Sequence, residues 1–198
     1  MEKLTFLDFE TTGFKENRAV SFALIHICDG EVVKKKYTLV NPMTEIEVGA
    51  YKIHKIGFAQ IRNEKNFRQI WAEIKEYIEG CKVIGHNVKY DLKVLLGELD
   101  RYDLECGEFK TICTCENAKK LITDSENHKL NTMCKYFNLT LDNHHNAKDD
   151  TIACKNVYYK LLELGDLVEK KVAGRKKYET DETDETDETV INESQRHF

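Results

Sequence analysis

Two runs rich in β-forming residues, Val20 to Cys28 and Val32 to Val40, are separated by little more than the dipeptide Asp29-Gly30. Strands joined this tightly pair antiparallel, because a parallel return needs a long crossover. Ahead of them, Lys3 to Phe9 alternates in the manner of a further strand. Beyond them the period changes. Asn66 to Gly80 carries Phe67, Ile70, Trp71, Ile74 and Ile78 at helical spacing, with Gly80 as its stop. Val83-Ile84 reads as a short strand, Lys89 to Leu99 as a helix and Thr111-Ile112 as another short strand. Helices follow over 114–122, 129–137 and 147–164. Asn41 to Ile53, which holds the only proline, Pro42, reads as a loop. Strands first and strand–helix alternation afterwards predict an α/β fold, a mixed sheet flanked by helices.

The chain has 198 residues, 41% of them hydrophobic, enough for one domain with a genuine core. That domain is expected to span 1–172. From Ala173 onward the composition shifts: Thr180 to Glu188 is three tandem copies of Thr-Asp-Glu with no apolar periodicity. Such a segment cannot bury enough surface to offset its ordering entropy, so 173–198 is predicted to be a disordered, low-complexity acidic tail. It holds four Lys/Arg and eight Asp/Glu, leaving the body with 26 bases and 27 acids out of a chain total of −5. A body so near neutrality excludes a protein that coats duplex DNA through a broad basic surface, but not one that grips a strand end. No run approaches the roughly 18 consecutive apolar residues of a membrane span, and the first residues lack the order of a signal peptide. A cytoplasmic location without membrane contact is expected. The seven cysteines are odd in number and irregularly spaced, which predicts free thiols. Cys113 and Cys115, with Cys106 and His128, match no usual zinc spacing.

The chemistry concentrates in acids near element ends. Side chains two apart in a strand share a face, so Asp8 and Glu10 point the same way at the end of the first strand. They repel each other unless a cation lies between them, and oxygen donors at that spacing suit Mg²⁺ or Mn²⁺. On a wheel of the last helix, Cys154, Val157, Leu161 and Leu164 fall within about 40° of Asp150. Asp150 thus rides on the core-facing stripe, where a carboxylate is costly unless paired or metal-bound. Asp91 lies at the edge of the stripe formed by Leu92, Leu95 and Leu99. His144 and His145 precede the Asp150 helix, and from the residues alone either can reach the same space as a proton acceptor.

The segments DFETTG (8–13), HNVKYD (86–91) and HNAKDD (145–150) resemble, in order and separation, the three motifs of the DEDDh (DnaQ-like) 3′→5′ exonucleases. The resemblance runs from about residue 3 to 165. It implies a ribonuclease-H-like fold and two divalent cations, Mg²⁺ or Mn²⁺, with Asp8, Glu10, Asp91 and Asp150 as metal ligands. His145 would be the catalytic base, because in that family the histidine stands five residues before the last aspartate. Phe9, Thr11, Thr12, His54 and Tyr90 carry over as substrate contacts. The implied reaction is hydrolysis from the 3′ end of single-stranded DNA or a frayed duplex, releasing 5′-mononucleotides in proofreading or repair. The alternatives are an exoribonuclease of the same chemistry and a non-catalytic binding module of the same fold. The implied partners are a nucleic-acid 3′ end, DNA ahead of RNA, and a polymerase or other replication or repair protein. Where many relatives have Asp-Thr before the middle helix, this chain has Lys110-Thr111.

Overall fold

A computed structural model describes residues 1–176. Six strands form one mixed sheet: β1 (Lys3–Thr11), β2 (Ala19–Cys28), β3 (Glu31–Leu39), β4 (Lys82–Gly85), β5 (Phe109–Cys113) and β6 (Glu169–Val172), in the order β3-β2-β1-β4-β5-β6. The β2–β3 pair is antiparallel, as the tight Asp29-Gly30 connection requires, and the β1–β2 pair, joined through residues 12–18, is antiparallel as well. β4 lies parallel to β1, and β5 parallel to β4, reached by helical crossovers.

The helices divide between the faces. On one side α3 (Phe67–Ile74) and α4 (Lys89–Arg101) cover Leu7, Phe9, Phe22, Leu24 and Val83. On the other, α5 (Thr114–Leu121), α6 (Leu130–Tyr136) and α7 (Ala147–Leu162) cover Leu4, Phe6, Ile25, Ile27, Ile84 and Ile112. The alternation along β1 is thus read directly in the packing: odd positions face α3 and α4, even positions face α7. β1 is central and covered on both faces, and the C-terminal ends of β1 and β4 lie side by side. This is the end of an open α/β sheet where crevices form.

Three differences from the sequence expectation have physical causes. The expected loop over Asn41 to Ile53 contains α1 (Val48–His54), and a single turn of α2 (Phe58–Ile61) follows it. α1 buries none of its residues, so no apolar stripe betrays it. The helix expected through Gly80 tightens into a 3₁₀ turn over Lys75–Tyr77 before Gly80 ends the segment at φ +68°. β6 was not anticipated: Glu-Lys-Lys-Val has no apolar alternation and is a strand because β5 offers it an open edge. There Lys110 meets Glu169 at 2.8 Å, which gives the departure at Lys110 a local partner. The folded body also continues past residue 172. The backbone of Arg175 exchanges two hydrogen bonds with Cys106, and its guanidinium reaches the Leu104 carbonyl and Asp103. The rest of the acidic tail, 177–198, lies outside the described residues. All seven cysteines are free. No described helix is long and apolar enough to cross a membrane.

Candidate active site

The pleat sends Asp8 and Glu10 to the α7 side of β1 and the intervening Phe9 into the opposite core. Phe9 packs there against Phe22, with ring centroids 4.8 Å apart. The register with β2 slips between Glu10 and Thr11, a bulge of the kind that re-aims side chains beside functional sites. α7 delivers Asp150 from its first turn, 5% exposed, so that single carboxylate oxygens of Asp8, Glu10 and Asp150 all lie within 4.8 Å of one another. Asp91 enters from the first turn of α4, is 6% exposed, and accepts the Phe9 N–H at 3.2 Å. Four acids from three separate elements therefore meet at the end of the central strand.

Gly85, at the turn from β4 into α4, packs closely beneath the cluster. A Cβ on it would stand 3.1 Å from Asp91 Oδ2 and 3.0 Å from Val88 Cγ2, so a larger residue there would press Asp91 and Val88 back by a few tenths of an ångström. Its only signal in the sequence is a glycine closing a short strand just before His86. His86 then locks the same turn to the α5 side. Its Nε2 donates to the His128 carbonyl at 2.9 Å, which leaves Nδ1 to accept from the Thr114 hydroxyl at 2.9 Å. Burial pushes its pKa down to about 4, so the ring is a neutral brace.

The electrostatics are lopsided. Burial first, then repulsion from Asp91, Asp150 and Glu10, lifts Asp8 well above the ordinary carboxylate range. Burial, then Asp150 and Asp91, raises Glu10 to about 8. Burial raises Asp91 to about 7, against the pull of the Phe9 N–H. Among the described residues no Lys or Arg lies within ion-pair distance of any of the four, and His144 alone approaches Asp150. Clustered, buried oxygen donors with no cationic side chain to balance them fit a hard divalent cation.

The structure brings both candidate histidines to this cluster and gives them different contacts. The His144 ring places Nδ1 3.0 Å from Asp150 Oδ1, whereas His145 donates its backbone N–H to Asp150 Oδ2 at 2.9 Å. The two rings stack with centroids 4.0 Å apart. His145 has φ +67°, a left-handed conformation that turns the chain into the α7 N-terminus. Burial, then His144, holds its imidazole below the ordinary histidine value despite Asp150, so it is neutral near pH 7.

The proposed substrate contacts separate into two kinds. Tyr90 is 55% exposed and stands at the cleft with the Lys89 ammonium 5.2 Å from its ring centre. His54 lines the adjoining hollow, its Nε2 donating to the Thr11 carbonyl at 3.2 Å and its Nδ1 accepting the Ile56 N–H at 3.0 Å. Thr12, in contrast, is buried and braces the loop behind the site. Its hydroxyl accepts the Arg18 N–H at 3.0 Å and its carbonyl accepts the Glu47 N–H at 2.8 Å. Phe9 lines the cleft, but its ring belongs to the core. Ile53, which belongs with His54 to the segment Ile53-His54-Lys55-Ile56 that resembles the family's base-lining stretch, is an exposed apolar side chain on the cleft wall; Phe14, which follows the Gly13 turn and has no counterpart among the expected contacts, is another. The cleft over the acids measures about 670 Å³. A larger hollow of about 950 Å³ lies at the opposite sheet end, near Glu2, Lys82 and Lys171, away from the acids. Cys106, Cys113, Cys115 and His128 form no metal-binding group among the described residues.

The sequence model of the exonuclease family (RNase T) matches residues 5–158. The chain is 27% identical over 156 residues to the PolC-type DNA polymerase III of Latilactobacillus sakei, covering 78% of this chain and only 11% of that protein. Among solved structures, Exonuclease X in complex with 5′-overhanging duplex DNA superposes with a TM-score of 0.66 at 22% identity, over 81% of this chain and 91% of that one. The nuclease domain of 3′hExo, a DEDDh family member bound to rAMP, gives 0.67 at 17% identity, over 82% and 92%.

Proposed function

The chain belongs to the exonuclease family, and from that premise we propose that it hydrolyses phosphodiester bonds one nucleotide at a time from the 3′ end of a single strand or frayed duplex. The convergence of Asp8, Glu10 and Asp150 oxygens within 4.8 Å, with Asp91 buried behind them, carries this reading. These acids would hold divalent cations, Mg²⁺ or Mn²⁺. Two such ions would neutralise charge on the phosphate and polarise the attacking water and the leaving oxygen.

The chain's own residues do the rest. Asp8 and Asp150 hold two walls of the cluster, Glu10 closes it from the strand end, and Asp91 keeps the backbone at Phe9 in register through its hydrogen bond. His145, neutral near pH 7, takes the proton of the attacking water as general base. Its backbone bond to Asp150 Oδ2 fixes the ring's root beside the cluster. Tyr90, Phe14 and Ile53 offer apolar surface on which a terminal base can stack regardless of its identity. The half-covered cleft excludes part of the solvent while admitting a strand end. Products would be 5′-mononucleotides.

DNA is the first substrate class, supported by the likeness to PolC-type polymerases and to Exonuclease X. That likeness also supports a polymerase or other replication or repair protein as a working partner. The likeness to 3′hExo bound to rAMP favours RNA ends as the second reading. The test is a 5′-labelled single strand incubated with the protein in Mg²⁺ or Mn²⁺, as DNA and as RNA. A descending ladder is expected, abolished by EDTA and by Asp8→Ala, and slowed at least about 10²-fold by His145→Ala. Degradation of a strand whose 3′ end is chemically blocked would refute the direction, and a ladder that survives EDTA would refute the metal dependence.

A further inference from the structure

One ring of the histidine pair has no part in the reaction just described. His144 directs Nδ1 at Asp150 Oδ1, 3.0 Å away, and its ring lies against that of His145. One donor atom from each of His144, His145 and Asp150 lies within 4.8 Å of the other two. Asp150 therefore belongs to two donor clusters at once: an all-oxygen set with Asp8 and Glu10, and a set with two imidazole nitrogens.

The two sets differ in the ions they favour. Carboxylate oxygens suit Mg²⁺ and Mn²⁺, whereas imidazole suits Zn²⁺ and its neighbours, which also bind any nitrogen-containing site more tightly than Mn²⁺ does. A zinc ion about 2.1 Å from each donor draws the donors to roughly 3.4 Å apart. Both histidines are exposed on a surface loop and can close that gap by side-chain rotation, while Asp150 is held by α7. We infer that His144, His145 and Asp150 form a second cation site, selective for Zn²⁺ over Mg²⁺, whose occupation blocks the hydrolytic site. Zinc bound there takes the lone pair that His145 needs to accept a proton and engages the carboxylate that the acid cluster shares. The blocking half of this inference rests on the function proposed above; the binding half does not.

The experiment uses the full-length chain without a histidine tag, stripped of metal. Zn²⁺ alone is titrated by calorimetry in millimolar Mg²⁺, and Co²⁺ alone is followed by its visible absorption. Wild type is compared with His144→Ala and His144→Gln, each checked for an unchanged melting temperature. The wild type should bind Zn²⁺ despite the Mg²⁺ and give the intense bands of low-coordinate Co²⁺. Both variants should lose at least about tenfold in Zn²⁺ affinity. With inhibition read against each variant's own rate in Mg²⁺, both should need correspondingly more Zn²⁺ for half-inhibition. Equal Zn²⁺ affinity in wild type and in both variants would overturn the site. Weakened Zn²⁺ binding with no change in the inhibitory concentration would overturn its blocking role. A wild-type protein with no Mg²⁺-dependent nuclease would end the proposed function, while the calorimetric comparison still decides the site.

Discussion

Asp8 shows at the scale of one residue how a site can oppose the fold that carries it. It sits on a strand covered on both faces, among Glu10, Asp91 and Asp150, with no lysine or arginine among the described residues to balance it. Removing its charge while keeping its shape should therefore stabilise the metal-free protein and cost it its chemistry. Asp8→Asn is expected to raise the melting temperature in EDTA, at about 2–4 °C for each kcal/mol of repulsion relieved, and to cut Mg²⁺-dependent cleavage by about 10³-fold or more. Thermal unfolding and a single-turnover assay on the same preparation check both halves. A lower melting temperature would mean that Asp8 holds structural bonds other than those described. The acids were legible in the sequence because their positions are periodic: Asp8 and Glu10 share a strand face, and Asp150 shares a stripe with Val157 and Leu161. Gly85 and the bracing role of His86, which the sequence shows only as the head of the HNVKYD segment, are not legible there, because their work lies in contacts with Asp91, Thr114 and His128 that only the folded chain brings near.

At the scale of elements, burial decides what a sequence announces. α3 declares itself through Phe67, Ile70, Trp71 and Ile74, all buried on one side. α1 buries nothing and β6 is mostly charged, so neither carries a pattern, and β6 is a strand because β5 completes it. A less visible tie joins α4 to the hairpin. Glu98 is 2% exposed, accepts the Ala19 N–H at 3.0 Å through Oε1 and meets Arg101 at 2.9 Å through Oε2. Truncation leaves a buried amide unpaired and a guanidinium without its acid. Glu98→Ala should lower unfolding free energy by about 3 kcal/mol, and Glu98→Gln, which keeps an acceptor for Ala19, by less. Urea unfolding of the two variants measures the difference; equal losses would show that the amide bond contributes nothing.

Across the whole molecule, titration couples the site to stability. Glu10, with a folded pKa of about 8 against 4.5, and Asp91, about 7 against 3.8, retain protons that the unfolded chain has already released. Between those limits the folded state binds more protons than the unfolded one, so stability falls as pH rises. His86 acts in the opposite sense: its folded pKa is about 4, so it adds stability as pH climbs to the ordinary histidine value of 6.5 and nothing further above it. The acids are thus isolated between about pH 6.5 and 8. In EDTA the melting temperature should drop over that interval, and Mg²⁺ should restore more of it at pH 8 than at pH 6.5, because the ion displaces those protons. A flat profile in EDTA would indicate that Glu10 and Asp91 are far better solvated than their burial implies.

The cluster also draws its members from opposite ends of the described chain, Asp8 on the first strand and Asp150 on the last helix. During synthesis every other strand and helix of the cluster emerges before α7 brings the final acid, which must then turn back onto the first strand. A stalled or nicked product ending before residue 147 keeps three of the acids but lacks the helix that closes the cluster. Whatever cutting this fold performs is consequently withheld from copies that lack α7, a safeguard built into the order of the residues.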